Sequence, residues 1–438
     1  MRPAHLIAAL LLLAGPPAFG QADRQLAGEW EITAASPQGI AGARMVLSVA
    51  DGRINGTSGP LDANMYWPLE VAGIDDDGAL VLTFRSDGEP VGTISVKRSR
   101  DRLSGQGTLY GTPVRLAGKR SGAARRAART HNFRPAQYQL HFSSRGPAAL
   151  VIAPGDTVIT STLDNEGRDS SGIWKAMPGN PLTGPFHVEG AMPGDTLVVR
   201  LVRIELDRDS AHMYGRQLNT RALPSGYPQT PDPEADRTWI LDRQAGLGRL
   251  KRPGERLAGF TVPLRPMIGS IGVAPPGNQS LSAGDIGFHG GNLDYNRITS
   301  GTTLYFPVFQ AGALFSLGDG HAAQGDGEIS GQGLETSTTV TFTVDLIRGR
   351  APRQPWAEDD RDVMISGIDN SLDDALKMAT ANAAMWLKDR YGLNDSEAAT
   401  FLSAAISYDV ASIVSGRPHV VARLGKAALG QLRAKAAR

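Results

Sequence analysis

Between Ser316 and Glu335 the chain reads SLGDGHAAQGDGEISGQGLE, and no other stretch restricts its fold as much. Strand-like apolar runs flank it, Thr302 to Phe309 and Ala313 to Leu317 before and Thr338 to Ile347 after. Gly318, Gly320, Gly325 and Gly327 let the backbone take positive φ and approach other groups closely. The loop is therefore shaped rather than slack, and it is held between strands. It also concentrates Asp319, His321, Gln324, Asp326 and Glu328. Asp, His and Glu are side chains that bind divalent cations or move protons near neutral pH. A solvated turn would explain one such acid. The density found here points to a functional site.

Met1 to Gly20 has the layout of a secretory leader, with Arg2, an apolar run from Leu6 to Ala14, and Ala18-Phe19-Gly20 as a small-residue cleavage site. The apolar run is too short to cross a bilayer comfortably, and no later run is long enough. The expectation is a periplasmic or secreted protein with no membrane insertion after leader removal. The net charge is +1 over 438 residues, which gives no reason to expect a nucleic-acid partner. There are no cysteines, so thiolate nucleophiles, thiolate metal sites and disulfides are all excluded.

Residues 24–119 alternate short strand patterns, such as Leu80 to Phe84 and Gly92 to Val96, with turn signals at Asp51-Gly52, Asp77-Gly78 and Asp87-Gly88. This predicts a small antiparallel β-barrel or sandwich, with Trp30 and Trp67 in its core. Residues 120–130 turn abruptly basic and small, as a linker would. Residues 131–438 then form a second, β-rich domain with C-terminal helices, so the whole chain reads as mainly β with α+β elements.

Two segments in that domain match: Ala153-Pro-Gly-Asp-Thr-Val-Ile-Thr and Met192-Pro-Gly-Asp-Thr-Leu-Val-Val-Arg. Each is a turn opening a β-branched strand, and Ala283-Gly284-Asp285 is a weaker third copy. Asp207 to Gly259 interrupts with Pro, Gly and charge and no clear period, as lids and oligomer contacts do. Ser371 to Tyr391 has helical spacing, with Ser371 and Asp374 as a capping pair and Gly392 as its stop. A second helix is predicted from Asp395 to about Ile406, and a basic terminal one from Val420 to Arg438.

Three further stretches join the glycine-rich loop: Thr162-Leu163-Asp164-Asn165, NPLTGPFHVEGA from Asn180 to Ala191, and His289-Gly-Gly-Asn-Leu-Asp294. With NPLTGPFHVEGAMPGDTL, GGNLD, the long TLYFPVFQAGALFSLGDGHAAQGDGE run and the later ISGID, the chain resembles the acetamidase/formamidase family. The resemblance runs from about His131 to the C-terminal helices. It implies hydrolysis of a small linear amide to a carboxylate and ammonia, with a divalent metal, zinc ahead of calcium. Carried over by position, it makes His321, Asp164 and Asp294 the metal ligands and Glu328, Asp326 and Gln324 the catalytic groups. Asn292, Asp319 and His289 would face the substrate or support the ligands. The partner is then a small amide, with a homodimer as the assembly to test. The leader, the first domain and the 207–259 segment depart from the family pattern, which leaves the identity of the amide open.

The chemistry agrees with this reading. An amide is a poor electrophile, so its hydrolysis needs an activated water, a polarised carbonyl and a proton for the leaving amine. No Gly-x-Ser-x-Gly occurs after the leader, and Ser270 in IGSIG is a near miss. Glu328, at the end of the loop, is suited to proton transfer, and His321 to holding a metal. The competing class is a non-catalytic, exported β-rich binding protein whose metal loop is structural.

Overall fold

A computed structural model describes residues 26, 28–37, 39–50, 53–59, 67–74, 77–86, 89–120, 127–215, 217–234, 237–277, 279–347 and 350–433. The leader, two of the three turn signals in the first domain and most of the linker lie outside the described residues. By its internal contacts the chain divides into two compact units, with the boundary following Ala123.

The first unit is an up-and-down barrel of eight strands: β1 (Gly28–Ser36), β2 (Gly39–Ala50), β3 (Arg53–Gly59), β4 (Trp67–Ile74), β5 (Leu80–Ser86), β6 (Glu89–Ser99), β7 (Arg102–Leu109) and β8 (Thr112–Arg120). Each strand pairs antiparallel with the next, and β1 pairs with β8 to close the barrel. Closure removes the exposed edges an open sandwich would keep. Alternation places Trp30, Met45, Leu82, Ile94, Val96 and Leu116 inside and leaves Lys97, Gln106 and Arg115 outside. Trp30 is fully buried, and its indole N–H donates to the Leu26 carbonyl at 2.8 Å. At ~25 cal/mol per Å², burying a ring of that size stabilises by several kcal/mol. The Trp67 side chain lies outside what is described.

The second unit is built on two sheets. The six-stranded one runs Leu150–Ile152, Leu182–Val188, Phe315–His321, Met267–Gly272, Gly290–Asn292, Ile286–Gly287. The nine-stranded one runs Ile406–Ser412, His419–Gly425, Asp362–Ile368, Trp356–Glu358, Thr303–Pro307, Thr196–Leu206, Thr338–Ile347, Thr157–Ser161, Thr130–Asn132. They share one core. Phe342 of the larger sheet meets Phe186 and Phe315 of the smaller edge to face, each at 5.3 Å between ring centres.

The repeated Pro-Gly-Asp-Thr segments have one structural role. Their strands, Thr157–Ser161 and Thr196–Leu206, pair antiparallel with the two sides of Thr338–Ile347. In each turn the Asp side chain accepts from the backbone three residues back, Ala153 N at 2.9 Å to Asp156 and Met192 N at 3.2 Å to Asp195. That bond tightens the turn feeding each strand.

The helix Leu372–Tyr391 lies on the far end of the larger sheet, with Ala375, Ala379, Ala383 and Leu387 against Val363, Ile365 and Leu424. Its Ser371 hydroxyl caps Asp374 N at 3.1 Å, and Gly392 closes it at φ 76°. The second helix is Asp395–Ala405, opened by a capping box between Asn394 and Glu397.

Two expectations are corrected. Val420 does not open a basic terminal helix: His419–Gly425 is a strand between Asp362–Ile368 and Ile406–Ser412, and among the described residues after it only Lys426–Leu429 is helical. Val420, Val421, Ala422 and Leu424 are buried there, and β-branched residues between two strands outweigh the basic tail. The 207–259 segment also has regular structure. Ser210–His212, Thr238–Asp242, Leu247–Leu250 and Thr261–Pro263 form a four-stranded antiparallel sheet over Trp239 and Leu241. Strands of three to five residues are too short to show a period.

Candidate active site

The site forms at the His321 end of the strand Phe315–His321, where the glycine-rich loop leaves the smaller sheet. The His321 Nδ1–H donates to Gln324 Oε1 at 2.9 Å. The Gln324 amide nitrogen donates in turn to the Asp294 carbonyl at 2.6 Å, which fixes which end of that side chain is oxygen. The other ring nitrogen of His321, Nε2, lies 3.2 Å from Glu335 Oε2 and 3.5 Å from Asp319 Oδ1. Asp294, His321 and Glu328 form a second group around the same ring, with their donor atoms within 4.8 Å of one another. All five side chains are buried, and Glu328, at 6% exposure, is the most accessible.

Backbone strain is concentrated at these residues. Asp294, Asp319 and Glu328 have φ of 41°, 61° and 50°, in the left-handed region that costs a non-glycine residue about 1–3 kcal/mol. Gly269 supplies the room. A Cβ at that position would stand 2.6 Å from both Asp294 Oδ1 and Asp319 Oδ2. Asn180, itself at φ 59°, donates from Nδ2 to Asp319 Oδ2 at 2.9 Å and to Asn292 Oδ1 at 2.7 Å. Asn292 Nδ2 donates to Asp294 Oδ2 and, at 3.1 Å, to Ser415 Oγ.

Electrostatically the cluster sets four buried carboxylates against one imidazole. Burial, then the neighbouring Asp319, pushes Asp294 up to about 7. Burial also lifts Glu335 to about 7, and it holds Glu328 well above the usual carboxylate range with help from Asp294. Burial pulls His321 down, but Glu335 and Asp319 outweigh it and raise the imidazole well above its ordinary value. Asp294 Oδ1, Asp319 Oδ1, His321 Nε2, Glu328 Oε2 and Glu335 Oε2 are buried without a hydrogen-bond partner. Orphaned buried polar atoms cost about 1–3 kcal/mol each. Two pairs of carboxylates gathered around one imidazole, Asp319 with Glu335 and Asp294 with Glu328, are an arrangement a divalent cation satisfies, so the residues present fit a metal.

Asp319, Glu328 and Glu335 of the cluster line a cavity of about 350 Å³, whose wall also includes Asn165, Asn219, Val414 and Ser415. A larger hollow of about 1080 Å³ on the barrel brings Lys97, Gln106 and Arg115 to its surface but contains no group of buried acids.

The sequence-derived candidates separate clearly. His321, Asp294, Asp319 and Glu328 come together, and Asn292 supports them from behind. Asp164 does not join them. Its side chain is taken by Arg208 at 2.8 Å and by the backbone N–H groups of Glu166 and Arg168, so it ties a turn together. Asp326 is exposed and accepts from Asn296 at 2.7 Å. Gln324 orients His321 and has no face toward the cavity. His289 is buried between Phe142 and Phe288 with neither ring nitrogen bonded, so it is a core ring and not a donor to the ligands. Glu335 went unnamed by the sequence reading although it closes the same stretch. Asn165, Asn180 and Ser415 were missed with it, and Asn219 sits in the 207–259 segment, where nothing local marks it.

A two-sheet β domain that gathers one imidazole and four buried carboxylates beside a polar cavity has the makings of a hydrolytic site. The acetamidase/formamidase family profile matches residues 286–425, which include every member of the cluster. A formamidase of Methylophilus methylotrophus is 27% identical over 59% of this chain and 81% of its own length. An acetamidase of Mycolicibacterium smegmatis is 26% identical over 46% and 64%. Among solved structures, an acetamidase from Bacillus halodurans is 31% identical, with a TM-score of 0.58 over 70% of this chain and 99% of its own. A predicted acetamidase/formamidase from Thermoanaerobacter tengcongensis superposes at a TM-score of 0.60 and 27% identity. The chain belongs to the acetamidase/formamidase family.

Proposed function

We propose that this protein is a metal-dependent amidase that hydrolyses a linear carboxamide to a carboxylate and ammonia, exported to the periplasm or secreted. One observation carries the reading: four carboxylates with orphaned oxygens gather around the His321 ring, and three of them, Asp319, Glu328 and Glu335, line a polar cavity. Family membership, with formamidase and acetamidase relatives, supplies the reaction class.

His321, Asp294, Asp319 and Glu335 would hold the ion. An imidazole among the donors favours zinc over calcium, whose ligands are oxygens. Bound there, a divalent cation supplies Lewis-acid polarisation of the amide carbonyl and acidifies the attacking water. The chain's own residues supply the rest. Glu328 is the most accessible member of the cluster and lines the cavity, so it takes the proton as water adds to the carbonyl carbon. It returns that proton to the nitrogen as the C–N bond breaks, and ammonia leaves. A carboxylate can serve both halves of that transfer, and burial with Asp294 nearby raises Glu328 above the usual carboxylate range. Asn180 and Asn292 anchor Asp319 and Asp294 and keep the donors at fixed separation. The test is ammonia release from formamide, acetamide and propionamide, with and without chelator. Chelator-insensitive turnover contradicts the metal; no turnover by the metal-loaded protein contradicts the enzyme.

A further inference from the structure

Resting on the amidase reading and sharpening it, we infer that the natural substrate is a polar carboxamide with a hydrogen-bond-accepting oxygen on its acyl side, selected by Asn165 and Asn219. The cavity of about 350 Å³ falls within the ~300–1,000 Å³ typical of small-molecule sites, far more than the few heavy atoms of acetamide fill. Among the described residues that line it, Val414 alone is an apolar side chain. An alkyl acyl group entering there would strip water from carboxamides and replace none of their hydrogen bonds.

The four asparagines on the wall divide into two pairs. Asn180 and Asn292 spend their amide hydrogens inward, on Asp319 and Asp294. Asn165 and Asn219 do the reverse. The Asn165 oxygen is taken by His212 Nε2 at 3.0 Å, and that ring is itself held by stacking on Tyr214 at 4.5 Å. The Asn219 oxygen accepts from Arg221 N at 2.9 Å, while its backbone N–H donates to the Ile329 carbonyl at 2.6 Å, one residue after Glu328. With each oxygen pinned by the protein, each Nδ2 is left as the donor available to a ligand. Two fixed donors and almost no apolar wall call for acceptor oxygens, such as a hydroxyl or a second carbonyl. Asn219 also gives the 207–259 segment a place in the site.

The experiment compares kcat/KM for glycolamide, lactamide and malonamide with that for propionamide and butyramide on the metal-loaded full-length protein. The expected result is a preference of tenfold or more for the oxygen-bearing amides, the scale of one or two hydrogen bonds. In Asn165→Ala and Asn219→Ala that ratio collapses toward one. Equal or better turnover of butyramide in the wild type overturns the inference and leaves the amidase reading intact. Ammonia from none of the amides sinks the amidase reading instead. Thermal stabilisation by glycolamide but not butyramide then still decides selection, and equal shifts would overturn it.

Discussion

Gly269→Ala adds one methyl group to a residue with no chemistry of its own, and it should disable the site. The new Cβ would stand 2.6 Å from Asp294 Oδ1 and 2.6 Å from Asp319 Oδ2, where ordinary contact begins at 3.4 Å. Each contact needs a displacement of 3.4 − 2.6 = 0.8 Å for relief, so both carboxylates must move. Neither has slack: Asp319 Oδ2 is held by Asn180, and the other oxygen of Asp294 by Asn292. A misplacement of about 1 Å costs on the order of 10²-fold in rate, and ligand sites tolerate roughly 0.5 Å. The variant should therefore lose about 10²-fold in kcat/KM on a short amide and much of its metal. The fold should survive, with an overpacking cost of about 1–3 kcal/mol that lowers Tm by a few degrees. The assay pairs metal content and ammonia release with thermal unfolding. Wild-type metal and turnover in a folded variant would refute the reasoning, because the two carboxylates would then not be needed where they stand.

Other substitutions divide the labour within the cluster. Glu328→Gln should keep most of the metal and lose ~10²-fold or more in turnover, as expected for a general base; a metal-free preparation would instead make Glu328 a ligand. His321→Ala should lose metal and activity together, measured by elemental analysis and ammonia release. The metal-stripped protein should become less stable as pH rises. Asp294 and Glu335, at about 7 in the folded state against roughly 4 unfolded, bind more protons folded than unfolded. Their contribution is thus fully present below about 4 and lost through about 7. Tm of chelated protein should be higher at pH 5 than at pH 8, with added cation reversing the order; a Tm unchanged between the two would be inconsistent. Residues 131–438 are expected to fold and hydrolyse amides without the barrel, which purification and assay of that fragment checks.

Much of this was legible from residues. The barrel announced itself through turn signals between short alternating strands, and the twin Pro-Gly-Asp-Thr turns through their identical spelling. His321, Asp319 and Glu328 were marked by density of type and by glycines placed for close approach, and Asp294 by the family-like GGNLD motif. Asp164 misled because a buried acid in a family-like motif looks the same in sequence whether it meets a metal or Arg208. Asp326 misled because a loop that folds Glu328 inward turns its neighbour two positions earlier out to solvent. Glu335 and Asn219 were illegible for a different reason: Glu335 lies just ahead of the strand Thr338–Ile347 and Asn219 caps a short turn between two strands of the four-stranded sheet, and only tertiary folding brings both to the cavity.

The central claim is a divalent cation held by His321 and its carboxylates and needed for turnover. Elemental analysis of protein purified without added metal, followed by chelation and reloading with ammonia release measured at each stage, tests it most directly. The account predicts about one divalent ion per chain, zinc foremost, with activity lost on stripping and restored on return of the ion. A metal-free preparation with undiminished amidase activity would contradict it.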